Sequence, residues 1–181
     1  MNIFLNKYGA GLVLLVVLLG LHALPKATHD RVSMTDQANL SFVRITEGSN
    51  EVKITQIRDF SEEDGPKYIN RAYDLSQLQG ADVLAETPFM MTRFRFENAE
   101  NLVFSVQPRL EQDENHTRWK TYLPFYEVFS LIATESDALK ESPDIAATLP
   151  SSEAKTLFLQ LAQENNQLFE QAKFYNALRD K

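Results

Sequence analysis

Along the chain, hydrophobic and polar positions change period several times, and each change predicts an element. Phe42-Val-Arg-Ile-Thr and Val52-Lys-Ile-Thr-Gln-Ile57 alternate with period two, as half-buried strands do. Asp59 to Asn70 is charged and broken by Gly65-Pro66, which predicts a loop. Asp82-Val-Leu-Ala predicts a short strand. Thr92-Arg-Phe-Arg-Phe96 alternates strictly, with Phe94 and Phe96 on one side and Arg93 and Arg95 on the other. Asn98-Ala-Glu-Asn101 then turns the chain into Leu102-Val-Phe-Ser-Val106, giving a hairpin. Phe125 to Ala133 is an apolar run rich in aromatics, as in a buried strand.

The last part of the chain changes to helical spacing. Pro150-Ser-Ser-Glu is a start signal, with Ser151 or Ser152 as cap and Glu153 suited to the positive end of the helix dipole. Leu157, Phe158, Leu161, Ala162, Leu168, Phe169, Ala172 and Tyr175 form an apolar stripe. Gln160, Gln163, Glu164, Gln167, Glu170 and Lys173 take the other face. A helix of this kind docks on a sheet. The body over 42–181 therefore reads as an α+β domain, an antiparallel sheet with packed helices.

The N-terminal pattern is different again. Between Tyr8 and Pro25 there is no Asp, Glu, Lys or Arg, and Gly11-Leu-Val-Leu-Leu-Val-Val-Leu-Leu-Gly-Leu21 is almost wholly aliphatic. Tyr8–Leu24 is 17 residues, against about 20 for a bilayer-spanning helix and roughly 7–15 for a signal-peptide core. Leu21-His22-Ala23 supplies one of the two small residues a cleavage site needs. An uncleaved signal-anchor over 1–25 is the favoured expectation, ahead of a cleaved signal peptide and of a buried core helix. Lys7 before the segment and Lys26 and Arg31 after it give no vote on orientation. Export is the usual purpose of a lone N-terminal apolar segment, so the body is expected in the periplasm, on a single-pass anchor in a bacterial inner membrane. With cleavage it would be soluble there. Residues 26–41 read as a polar tether.

Composition narrows the chemistry. The net charge is −7, and only Lys7 of the charged residues lies in the first 25, so the body is more acidic than the whole. An acidic body lacks the basic face that nucleic acid requires. Cysteine is absent, which removes disulfides, thiolate nucleophiles, zinc–thiolate sites and a lipoprotein's acylated cysteine. Gly9, Gly11 and Gly20 lie in the apolar segment, and Gly48, Gly65 and Gly80 do not build a phosphate-cradling loop. His29 and His116 have no partner at metal-ligand spacing. Glu111-Gln-Asp-Glu114 has no glycine for a calcium loop and reads as solvated. Arg93, Arg95 and Arg109 line one sheet face, where they either meet an anion or pair with local carboxylates. Asn39-Leu-Ser and Asn115-His-Thr match glycosylation acceptors, which matter only in a eukaryotic secretory route. No cofactor, no metal site and no catalytic residue is expected.

A set of ordered pieces carries a resemblance: Arg58-Asp-Phe60, Arg71-Ala-Tyr-Asp-Leu-Ser-Gln-Leu-Gln-Gly-Ala-Asp82, Phe94-Arg-Phe, Leu102-Val-Phe-Ser-Val-Gln-Pro-Arg109, Tyr126-Glu127 and Phe174-Tyr-Asn-Ala-Leu178. In order and spacing they resemble the bacterial Lnb N-terminal periplasmic domain family, named after a lipoprotein N-acyltransferase. The resemblance implies a fold related to papain-like and NlpC/P60-like thiol enzymes. It also implies an active-site His near Phe89, within Pro88-Phe-Met-Met91, and a Cys just beyond Leu178, where this chain reads Arg179-Asp-Lys181. Neither is present, and thiolate attack needs both sulfur and base. Arg109, Tyr126 and Glu127 match family positions as contact or scaffold residues. The expectation is a shortened, non-catalytic relative that binds an envelope protein or a lipid-linked ligand. The competing expectation is an envelope hydrolase or acyltransferase, either completed by a missing C-terminal segment or using other residues, for example Glu127 as base with Arg109 holding an anion. That enzyme requires Arg109 and Glu127 to share an open cleft.

Overall fold

A computed structural model describes residues 39–60, 67–85, 90–110, 126–139 and 143–173. The apolar segment, most of the tether, the Glu111–His116 stretch and the Phe89 and Leu178 positions lie outside them. Eight strands form one sheet: β1 (Phe42–Ile45), β2 (Glu51–Asp59), β3 (Lys67–Asp74), β4 (Leu78–Leu84), β5 (Met90–Phe96), β6 (Leu102–Arg109), β7 (Glu127–Thr134) and β8 (Ile145–Pro150). One helical turn, α1 (Glu135–Ala138), follows β7, and one long helix, α2 (Ser151–Glu170), follows β8. The strand order is β1-β2-β7-β6-β5-β4-β8, with β3 on the other side of β2.

The architecture is α+β, with two corrections to the expectation. The sheet is mixed, because β2 meets β7 in parallel at Arg58 and Ala133 while the other pairs are antiparallel. And a single long helix, rather than several, covers it among the described residues. The predicted β5–β6 hairpin is present, and β7 is buried along its whole length. The predicted 59–70 loop is shorter at both ends, since β2 runs to Asp59 and β3 starts at Lys67.

β2 owes its double role to a local irregularity. Val52 and Ile54 point into the core in one register and Ile57 does so in the next, with a register slip between them. Gln56 takes up the slip in the left-handed region at φ 59°, which costs a side-chain-bearing residue about 1 kcal/mol or more. Asn70 Oδ1 accepts from its N–H at 3.0 Å and the Ser41 hydroxyl donates to its carbonyl at 2.8 Å. Before the slip β2 pairs with β1; after it β2 meets β7.

The main core lies between the sheet and α2. Phe94 and Phe104 from neighbouring strands meet Phe158 edge-on, with ring centroids 5.1 and 5.3 Å away. The helix buries Ala154, Phe158, Ala162 and Asn165. This corrects the predicted stripe: Leu157 and Leu161 are flanking and half-buried, and Phe169 is exposed although it meets Phe42 edge-on. The reason is close approach. Two alanines one turn either side of Phe158 bring the backbone down on the sheet, so the leucines are displaced to the sides. The start also differs from the expected cap. Pro150 occupies the cap position, and Ser151 instead donates its hydroxyl to the Leu78 carbonyl, tying the helix start to β4.

Candidate functional site

Arg109 ends β6 and Glu127 begins β7, directly opposite each other in the antiparallel register. Their charged groups are 4.0 Å apart, with side chains only 7% and 2% exposed. Burial pulls the Arg109 guanidinium below its ordinary value, and the charges of Glu127 and Tyr68 oppose that pull. Strand alternation sends Arg109 and Glu127 to the face away from α2, because Val106, three residues from Arg109, and Val128, one residue from Glu127, belong to the α2 side. Tyr126 goes the other way. It is fully buried with Val128 and packs against Val106, Leu110 and Leu168. The three residues do not form one site. Two make a packed cross-strand ion pair, and the third is core beneath the helix.

Arg93 and Arg95 share the face of Arg109 and are committed to carboxylates. Arg93 donates to Asp82 Oδ2 at 3.0 and 2.7 Å and to Glu135 Oε1 at 2.7 Å. Arg95 approaches Asp82 Oδ2 at 3.1 Å, and Thr148 donates to Asp82 Oδ1 at 2.9 Å. Burial pushes the Asp82 carboxyl up, but Arg93, Thr148 and Arg95 together outweigh it and hold the group below the usual range. Asn101 joins the network by donating to Glu135 at 2.6 Å. Of the two readings of the arginines, pairing with local carboxylates is the one realised at Arg93 and Arg95.

The open space lies on the opposite face. Between the second half of α2 and strands β5–β7 is a cavity of about 490 Å³, within the range of small-ligand sites. Its floor is Thr92, Phe104, Val106, Val128 and Ser130, and its wall is Leu161, Asn165 and Leu168. Glu164, Gln167 and Lys173 stand at the rim, the first two exposed on the helix. The backbone closes one end, where Val128 N–H donates to the Lys173 carbonyl at 2.7 Å. Tyr126 backs the apolar part through its contacts with Val106, Val128 and Leu168.

The wall is fixed by two asparagines that the sequence reading passed over. Asn165 donates to the Ser41 carbonyl at 2.8 Å. Asn166 donates to the Val43 carbonyl at 2.6 Å and accepts from Val43 N–H at 2.9 Å, imitating a strand neighbour for β1. These bonds hold α2 above the sheet where its side chains do not fill the gap. Thr92 and Ser130 also escaped notice. Their signal was a hydroxyl at an inward position of otherwise apolar strands, Thr92 beside Phe94 and Ser130 between Val128 and Ile132.

Chemically, the cavity offers an apolar sleeve with hydroxyl groups on its floor and polar side chains at its mouth. The chain has no cysteine, and its three histidines lie outside the described residues. No group of side chains among the described residues has metal-ligand geometry. Among those residues, too, no helix is long and apolar enough to cross a membrane. Comparison with family models, with curated proteins and with solved structures gives no match.

Proposed function

We propose that this chain is a membrane-anchored periplasmic binding module without thiol catalysis. In this reading it is a degenerate relative of the lipoprotein N-acyltransferase periplasmic domain and of papain-like folds. Its cavity takes the apolar part of a lipid-linked ligand, leaving the polar part at the mouth beside Glu164, Gln167 and Lys173. The observation that carries the proposal is the cavity itself, about 490 Å³ and lined mainly by apolar groups. Burying a chain there removes apolar surface from water at roughly 25 cal/mol per Å². The apolar segment at 8–24 supports the membrane part, and the ordered sequence pieces support the family part. The competing enzyme needs Arg109 and Glu127 in an open cleft, whereas their side chains are only 7% and 2% exposed. That burial favours scaffold over catalysis.

The test uses the full chain in lipid nanodiscs and a soluble fluorescent lipopeptide, followed by anisotropy. Ser130→Phe fills the floor without touching Arg109 or Glu127. The expected result is saturable binding that Ser130→Phe weakens at least tenfold while the fold is retained. No saturable binding, or equal binding by folded Ser130→Phe, would overturn the proposal.

A further inference from the structure

Among the described residues β1, β3 and β8 each pair with a single strand. Asn166 occupies the N–H and carbonyl of Val43 on β1, and β3 and β8 are built differently. β3 carries Lys67, Arg71 and Asp74, the kind of charges that stop an open strand from recruiting another. β8 reads Ile-Ala-Ala-Thr-Leu-Pro and carries none. Five of its six residues are exposed, with Ile145 at 50%. Among the described residues it pairs only with β4. α2 leaves β8 at Ser151 and crosses to the far side, where Asn166 holds Val43, so the helix does not cover this edge.

An unpaired strand edge presents outward N–H and C=O groups, and what satisfies them is another extended backbone. The sequence of β8 says which one. Set antiparallel to itself about Ala147, it places Ile145 opposite Leu149, Ala146 opposite Thr148 and Ala147 opposite Ala147. Large residues meet large, small meet small, and no charge meets a like charge. That last point matters in a chain of net charge −7, whose surface otherwise resists self-association. The register irregularity between β8 and β4 near Ala146 lies on the paired side.

We propose that β8 is a self-association edge: two copies of the chain pair β8 to β8, antiparallel about a two-fold axis at Ala147, and join their sheets. One strand per copy is a small interface beside the roughly 1,200–2,000 Å² of a stable complex. Pairing is therefore weak in dilute solution and strengthened when both copies share one membrane. The proposal does not depend on what occupies the cavity.

The absence of native cysteine makes single cysteines clean reporters. Ala147→Cys is compared with Asn70→Cys on the β3 edge, each in the full chain in membranes, after mild oxidation with copper phenanthroline. The expected result is a dimer-mass disulfide band several-fold stronger for Ala147→Cys, reduced to the Asn70→Cys level when Ile145→Lys is added. Ile145 is half exposed, so the lysine is tolerated; protease resistance checks the fold, and Ala146→Lys replaces it if the first variant unfolds. Equal bands at the two edges would overturn the proposal. So would an Ala147→Cys band that survives both lysine variants, or adducts solely with other proteins, which would put a different polypeptide on the edge.

Discussion

Removing one charge from the Arg109–Glu127 pair distinguishes a buried strut from a working residue. At 4.0 Å, and with an effective dielectric constant of about 20, the attraction is about 4 kcal/mol. Desolvation of each ion costs several kcal/mol, so the intact pair is near break-even against apolar residues of similar size. A single truncation is different, because it leaves the other charge buried without this counter-charge. Glu127→Gln and Arg109→Met are each expected to destabilise the fold by about 3–5 kcal/mol, while the double variant Arg109→Met with Glu127→Leu returns to within about 1 kcal/mol of the parent. Pulse proteolysis in urea, on the full chain in mild detergent, measures these differences. Glu127→Gln at parental stability would refute the reasoning, since it would mean that the carboxylate is solvated and available for chemistry. A double variant as unstable as the sum of the singles would refute it as well.

Three further expectations follow from the packing. Phe158→Ala should cost about 3–5 kcal/mol by the same assay, because it empties the centre of the Phe94–Phe104–Phe158 cluster. Gln56→Val should lower stability by about 1–2 kcal/mol in a thermal shift, because a β-branched side chain is strained at φ 59°; an unchanged transition would mean that β2 relaxes into another register. Asp82→Asn should cost about 3 kcal/mol at neutral pH. The Asp82 carboxyl is held below its ordinary value in the fold, so its contribution is present above the unfolded value near about 4 and is lost as pH falls through the folded value. The parent–variant difference should therefore shrink below about pH 4, and a difference constant down to pH 2 would contradict the pairing.

What the sequence revealed, and what it hid, follows from where each element sits. β5 was legible because one face packs on Phe158 and the other carries arginines, so burial imposes the period of two, and β6 was legible as an apolar run after a turn, its first four residues all being buried. β7 was legible in the same way as β6, being buried on both faces. β3 and β8 were not, because each sends too few side chains inward to impose a period: β3 buries Tyr73 and half-buries Ile69, and β8 half-buries Leu149. The helix was legible in extent and only partly in its buried face, since two alanines rather than the leucines make the closest approach. Arg109, Tyr126 and Glu127 were singled out by resemblance, and the fold divides them between two faces of the sheet. The cavity was hidden because it is made by what α2 leaves unfilled. That depends on Asn165 and Asn166 holding the helix to β1 through contacts more than a hundred residues apart in sequence.

The most direct test of the central claim is a map of what touches the cavity in the native membrane. A genetically encoded diazirine amino acid at Leu168, inside the cavity, is compared with the same group at Gln163, on the exposed face of α2. After irradiation and purification of the full chain, intact mass is measured. A lipid or lipid-linked mass added at position 168 and absent at 163 is the predicted result. No adduct at 168, or the same adduct at both positions, would contradict a ligand-binding cavity.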